Sequence, residues 1–365
     1  MYYCGLDVSL RQTSICILDG DGKIVKEVKA ASDPDAIGAV LRGTGLWFER
    51  VGLEAGATSS WLAAGLRAQG WPIVCIDARH ASASLQAGFR NKSDRNDARG
   101  IADLMRVNKF REVWIKSPAA QRQGALLTAR GTLQRQLVTL ENVIRGILRG
   151  DGLVLPPGRT RFDQEVHERI DTDAALSTII APLLAVRTSL LKQRLALDRI
   201  IVAIARKDPV CRLLTTAPGV GPHVALAFKA AIDDPQRFSR SRTVGAHFGL
   251  TPRQYSSGEV DYSGRISKMG DQHVRSMLYV AALAILRREH GLWCSLKVWA
   301  LGLAKTRGIR KARVALARRL AVTLHKMWAS GEPEAGGCRL TIGVQAVDIV
   351  TRSASADAGP ARDGG

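Results

Sequence analysis

The segment Asp19-Gly20-Asp21-Gly22 is a turn that interrupts two strand-like runs, and it fixes how the chain must begin to fold. Thr13–Leu18 lies before it and Ile24–Ala30 after it. Glycine and aspartate supply the backbone freedom a tight reversal needs, so the two runs pair as a hairpin. Tyr2–Asp7 precedes them as a further strand. A helical pattern then covers Asp33 to about Leu41, Val51–Glu54 reads as a short strand, Ser59–Ala68 as a helix and Pro72–Asp77 as a strand. A last helix opens at Asp94. Three meandering strands followed by helix, strand, helix, strand, helix predict a mixed sheet, antiparallel in its first part and parallel in its second.

The rest of the chain reads differently. Leu126, Leu127, Leu133, Leu137, Leu140, Ile144 and Leu148 recur at helical spacing, and Gly150-Asp151-Gly152 with Pro156-Pro157-Gly158 ends that helix. A second helical region covers about Phe162–Lys207, with a break expected near Pro182. Together they predict a helical hairpin, or coiled-coil arm. The expected organisation is an α/β domain over 1–115, the arm over 116–207, a mostly helical domain over 208–331 and a disordered tail over 332–365, rich in Ala, Gly, Ser and Asp.

Charge narrows the partner. Lys and Arg number 53 against 33 Asp and Glu, a formal net charge of +20. Such an excess opposes compaction and favours a polyanion. Aromatic residues are only 5% of the chain, which argues against broad base-stacking surfaces and for salt-sensitive contact with phosphates. The cysteines, Cys4, Cys16, Cys75, Cys211, Cys294 and Cys338, are scattered without a CxxC pair, so neither a zinc site nor a disulfide framework is expected. No signal peptide is recognised and no apolar run is read as long enough to span a bilayer. The expectation is a cytoplasmic protein with no membrane partner.

Four acidic residues stand out by placement on the element order, which is that of an RNase H-like fold. Asp7 ends the first strand and Glu54 the fourth. Asp94 and Asp97 open the helix that follows, three residues apart and therefore on one helix face. Neighbouring strands would bring the four together. Converging carboxylates repel one another unless a cation sits among them, and an all-oxygen donor set suits Mg²⁺ or Mn²⁺. Two such ions activate an attacking oxygen and stabilise a leaving oxygen on phosphorus. Taken alone, Asp7 is more often a strand-end turn residue and Asp94 more often a helix N-cap than a ligand, and it is the set of four in this order that carries the signal.

A second group lies near the carboxyl end. Pro218-Gly219-Val220-Gly221 precedes the apolar helix Val224–Ile232. It reads either as a helix-hairpin-helix turn, with Gly219 and Gly221 offering backbone N–H groups to a DNA phosphate, or as an ordinary interhelical turn. Ser256-Ser257-Gly258 forms an exposed loop around which Arg253, Arg265 and Lys268 can gather. Serine is a poor nucleophile unless cations stabilise charge on the phosphate, and arginine has the shape for that task. The helix Ile309–Arg319 adds Arg310 and Lys311 as candidate phosphate contacts.

With these blocks in this order, residues 2–330 resemble the DEDD insertion-sequence transposases, described as bridge-RNA-guided serine recombinases. The resemblance rests on the Asp7 and Glu54 strand ends, on Asn91-Lys92-Ser93-Asp94 with Asp97-Ala98, and on Pro218–Gly221 through Gly249–Gly258 to Ile266–Asp271. It implies a RuvC-like amino-terminal domain with Asp7, Glu54, Asp94 and Asp97 as a metal-binding tetrad. It implies a separate transposase domain whose nucleophile falls on Ser257, beside Ser256. It further implies donor and target DNA as partners, a guide RNA, and a homo-oligomer, dimer or tetramer, in which domains of different subunits share a composite site. Two rivals stand beside it. A Holliday-junction-type nuclease would need the carboxylates but not the serine block. A non-catalytic basic nucleic-acid-binding protein would leave four placed carboxylates without a role.

Overall fold

The computed structural model describes residues 1–77, 93–158, 160–258, 260–287 and 295–333. Asn91, Lys92, Cys294, Cys338 and the expected tail beyond Pro333 lie outside these. The chain divides into two compact units, Met1–Ser117 and Pro118–Gly365.

The first unit is a mixed five-stranded sheet of order β3-β2-β1-β4-β5. Strands β1 (Tyr2–Val8), β2 (Gln12–Leu18) and β3 (Ile24–Ala31) pair antiparallel. The predicted turn closes β2 onto β3: the Asp19 carboxylate accepts the N–H groups of Asp21 and Lys23, and Gly22 takes φ +86°. Strands β4 (Phe48–Glu54) and β5 (Ile73–Ile76) add in parallel beyond β1. Each is reached through a helix, α1 (Pro34–Arg42) and α2 (Ser59–Ala68), as parallel crossovers require. Asp33 caps α1 by accepting from the N–H groups of Asp35 and Ala36.

Side-chain alternation gives the sheet two different faces. Cys4 and Leu6 of β1 pack with Ile37 and Leu41 of α1 and Leu62 and Leu66 of α2. The opposite face carries α3 (Asp94–Arg106), which buries Ile101, Leu104 and Met105 beside Tyr3 and Ile76. Ser93, not Asp94, caps this helix, accepting the Asn96 N–H; Asp94 is its first helical residue.

The second unit begins with α4 (Pro118–Gly150) and α6 (Ala174–Lys207), packed along one another, with α5 (Phe162–Ile170) closing their end. Ile144, Leu148, Val166, Ile170, Ile180 and Leu184 form that core. The break in the second helical region falls at residues 171–173 rather than at Pro182, which α6 runs straight through. Asp173 explains the new start, because its carboxylate accepts the Leu176 N–H as an N-cap. Burial of Leu176, Ile180 and Leu184 around Pro182 offsets the backbone hydrogen bond that proline removes. Contrary to the sequence reading, α6 is long and apolar enough, by length and composition, to cross a membrane. The run carries Arg187, and that charge is buried against Glu141 (3.0 Å) and Asp163 (2.8 Å), which makes this stretch a packed partner of α4 and α5.

Beyond the arm come α7 (Pro209–Leu214), α8 (Pro222–Ile232), α9 (Arg242–His247), α10 (Gln272–Arg287), α11 (Ser295–Arg307) and α12 (Ile309–Ser330). Phe228, Phe248, Leu278, Leu320 and Leu324 centre their shared core. One feature was not expected: the stretch read as an exposed loop around Ser256-Ser257-Gly258 is a β-hairpin, β6 (Pro252–Ser257) paired with β7 (Val260–Ile266). Gly258, at φ +57°, supplies the left-handed residue of the turn. Cys4, Cys16, Cys75 and Cys211 are buried free thiols, and burial pushes the Cys16 thiol up to about 11.

Candidate active site and nucleic-acid groove

The parallel pairing of β1 and β4 sets Gly5 beside Gly52 and Leu6 beside Leu53, so the next residues, Asp7 and Glu54, come side by side at the carboxyl ends of the two strands. Both line one cavity of about 650 Å³, together with Ser9, Arg11 and the loop from Ala55 into the start of α2. Both are half-buried.

The position of α3 follows from two missing side chains. A Cβ on Gly5 would stand 2.1 Å from the Ala98 carbonyl oxygen, and one on Gly52 2.7 Å from the Met105 side chain. The helix therefore rests on bare backbone. Tyr3 packs against Ile101 and Met105, and Gly5 meets Ala98 and Ala102. Continuing in the same direction leads on the strand to Asp7 and on the helix to Asp97 and Asp94. The amino-terminal turn of α3 thus lies toward the Asp7 end of the sheet.

A second constraint was not foreseen. Glu27, on β3, accepts hydrogen bonds from both Arg95 and Arg99, four residues apart on α3. The two guanidiniums hold the Glu27 carboxyl down at about 2, Arg99 contributing most. Arg95 and Arg99 were legible as an i, i+4 pair. Glu27 was not, because its partners lie 68 and 72 residues further along the chain.

The structure brings Asp7 and Glu54 together; Asp94 and Asp97 stand on the helix above. Among the described residues no three His, Cys, Asp or Glu side chains are placed closely enough to hold a metal ion. The expected tetrad is therefore not closed among the described residues: Asp7 and Glu54 share one cavity, and Asp94 and Asp97 stand apart from it on α3. The chemistry of the four fits a hard divalent cation: all are carboxylates, with no thiolate or imidazole among them.

The C-terminal unit holds a groove of about 1210 Å³ between the base of the β6–β7 hairpin and helices α11 and α12. Arg265, Lys268, Arg310 and Lys311 line it, and Arg242, Arg307, Arg318 and Arg319 join them. Its floor is apolar, from Leu250, Ile266, Leu303, Val314 and Val322, and Arg319 lies over the Trp299 ring at 4.7 Å. Sequence order had spread these cations over several segments, and only tertiary packing gathers them.

Ser257 occupies the other end of the hairpin. It pairs with Val260 at the tip, whereas Pro252 pairs with Ile266 at the base. Five residues of strand, roughly 17 Å at about 3.3 Å each, separate the two ends. Arg265 and Lys268 therefore line the groove at the base and do not gather around Ser257, as the loop reading had it. Arg253 donates to the Ser267 carbonyl at 3.3 Å, also near the base. Ser256 and Ser257 are both exposed, and strand alternation turns them to opposite faces.

The Pro218–Gly221 turn has a packing explanation at one position. Gly219 takes φ +73°, and a Cβ there would lie 2.7 Å from the Ala281 carbonyl oxygen of α10. Gly221 precedes α8 and faces open space.

Known proteins share both units. Residues 4–150 match the DEDD transposase family of the IS110 type, described as a transposase, and residues 211–294 match the family described as Transposase IS116/IS110/IS902. The transposase for insertion sequence element IS1111A of Coxiella burnetii is 31% identical over 323 residues, covering 86% of each chain. The transposase for insertion sequence element IS1328 of Yersinia enterocolitica is 27% identical over 233 residues, 63% of this chain and 70% of that one. The matched stretches contain Asp7, Glu54, Asp94 and Asp97 in the first unit and the whole β6–β7 hairpin in the second. On these grounds the chain belongs to the DEDD transposases of the IS110 family.

Proposed function

We propose that this transposase cuts and rejoins DNA through Ser257, assisted by the carboxylate site of an RNase H-like, RuvC-like amino-terminal domain. The arm of α4 to α6 separates that domain from the transposase domain over 208–331. The observation that carries the reading is the pairing of Asp7 and Glu54 at adjacent strand ends over one cavity, in a chain whose other unit presents an exposed serine beyond a cationic groove.

Ser257 Oγ attacks a DNA phosphorus. The Oγ–P bond forms, one P–O bond to deoxyribose breaks, and the proton lost by the serine ends on the departing DNA hydroxyl. The phosphoserine link keeps the phosphodiester energy, so a second DNA hydroxyl rejoins the strand by the reverse step. Asp7, Glu54, Asp94 and Asp97 would hold Mg²⁺ or Mn²⁺, which when bound neutralises charge on the scissile phosphate. The cations nearest Ser257 in sequence line the hairpin base, which favours a site completed by the carboxylates of a second subunit in a homo-oligomer. Arg265, Lys268, Arg310 and Lys311 hold the DNA backbone along the groove, and Arg253 and the Gly221 N–H add contacts beyond it. A guide RNA that pairs with donor and target DNA supplies sequence choice.

The test is to denature a reaction stalled on element-end DNA and to locate any DNA–protein bond by mass spectrometry. DNA on Ser257, lost in Ser257→Ala with DNA binding retained, is the expected result. DNA on Ser256, or normal recombination by Ser257→Ala, would refute the assignment.

A further inference from the structure

The hairpin that carries Ser257 also carries a pair of rings. Tyr255 on β6 and Tyr262 on β7 are directly opposed in the strand register and stack with centroids 4.9 Å apart and planes 16° from parallel. Two of the chain's five tyrosines meet here, in a protein with few aromatic residues. They are not core residues: Tyr255 is 46% exposed and Tyr262 55%. Gly264, diagonal to Tyr255 across the hairpin, leaves room for its ring: a Cβ there would come within 3.4 Å of it. Both rings thus reach solvent, Tyr262 the more exposed of the two.

The rings share a face with the serine. Tyr255 and Ser257 are two residues apart on a regular strand, so their side chains leave the same side, one pleat apart. One pleat is roughly 7 Å, within the reach of one nucleotide from a bound phosphate. A phosphate at Ser257 Oγ thus puts its neighbouring nucleotide level with the tyrosines.

We propose that Tyr255 and Tyr262 form a stacking platform for the DNA base next to the phosphate that Ser257 attacks, with Tyr262 the more exposed ring. The inference rests on Ser257 as nucleophile. Cutting the strand at that phosphate leaves the adjoining base without its stacking neighbour on one side, and a base that has lost a neighbour gains from a new one. An exposed ring provides it at a cost that depends little on which base arrives, since every base has a π-face. The cationic groove at the hairpin base and the rings near its tip then have separate tasks: the groove carries backbone charge, and the rings hold one nucleotide still.

The experiment uses the full-length protein purified from cells that carry the whole element, so that any RNA it retains stays bound. Element-end duplexes each carry one 2-aminopurine, moved stepwise across the cleaved junction, and fluorescence is read on binding. Stacking on tyrosine quenches the base. The expected result is a change at a nucleotide adjoining the cleaved bond, kept in Tyr262→Phe and lost in Tyr262→Leu, which retains an apolar side chain to hold the hairpin. Cleavage by Tyr262→Leu should fall at least tenfold while DNA affinity, set by the groove, changes less than threefold. A signal unchanged in Tyr262→Leu, a signal absent at every position, or equal loss in Tyr262→Phe would overturn the platform. Ser257→Ala separates the two readings: if it keeps the fluorescence change and loses cleavage, both stand. If it keeps both, the serine assignment fails and the stacking is judged by the Tyr262 variants alone.

Discussion

Arg99 donates to the carboxylate of Glu27 at 2.9 Å, joining the third strand of the sheet to the helix that carries Asp94 and Asp97. Arg95, one turn earlier, donates to the same carboxylate. The pair fixes the rotation of α3 about its axis, and with it the direction in which the two aspartates point.

Glu27→Gln should loosen this attachment without removing any metal ligand. The lost charge-assisted hydrogen bonds cost about 2 kcal/mol. The sign with pH follows from a folded-state value of about 2 against an ordinary 4.5. The native state binds this proton less readily than the unfolded one. Its contribution is therefore full above about pH 5 and is lost as pH falls from there toward 2. Thermal melts at pH 7 and pH 3 should show a variant-to-parent gap that shrinks at the lower pH. A gap that widens would contradict the pairing.

Asp97→Asn keeps the side chain's volume and removes its charge. Strand exchange should fall by at least a hundredfold with the circular dichroism spectrum and melting temperature near those of the parent. Asp7→Asn should behave alike, and chelation of divalent ions should reproduce both losses. Full recombination by either variant would remove the carboxylates from the reaction.

Gly5→Ala adds one methyl group where the Ala98 carbonyl already stands 2.1 Å from the methyl position. Either α3 lifts or the strand bends, at roughly 1–3 kcal/mol. Both responses disturb the carboxylate geometry, so activity should drop more than stability. A melt unchanged within a degree would mean that helix and strand do not touch here.

Neutralising Arg310 and Lys311 together should weaken DNA binding and flatten its salt dependence by about two units of slope, near one for each phosphate no longer neutralised. Arg307→Ala, in the same groove, should add a further step although it lies outside the helix that sequence reading had singled out. Affinity titrations from 50 to 300 mM salt measure it. An unchanged slope would show that DNA does not enter the groove.

Ser256→Ala should leave most activity in place, because strand alternation turns its side chain to the face opposite Ser257. Single-turnover cleavage rates for the two serine variants make the comparison. Equal loss in both would mean that the hairpin tip acts as a flexible loop rather than as strand.

The sheet was legible because its signals are local. The Asp19–Gly22 turn and the strand-like runs on either side of it act within a few residues, and each lies where the sequence placed it. The hairpin at 252–266 was missed because glycine, serine and arginine in that stretch read as loop, while the cross-strand partner that makes Tyr255 a strand residue lies beyond the turn. The break expected at Pro182 was misplaced because local propensity yielded to the packing of Ile180 and Leu184. In the groove, Arg265, Lys268, Arg310 and Lys311 were nameable by charge, but Arg242 and Arg307 join them only through the packing of α9, α11 and α12, which no spacing encodes.

Gly5 and Gly52 have one more consequence. Helices usually rest on a sheet through interdigitated side chains, a layer that yields when rotamers change. Under α3 that layer is reduced at two points to the backbone itself. Backbone bonded on both sides into neighbouring strands is the stiffest material a protein contains. A helix seated on it has little slack along its normal, and whatever its first turn holds is indexed to the strand ends as a tool is to a machined stop.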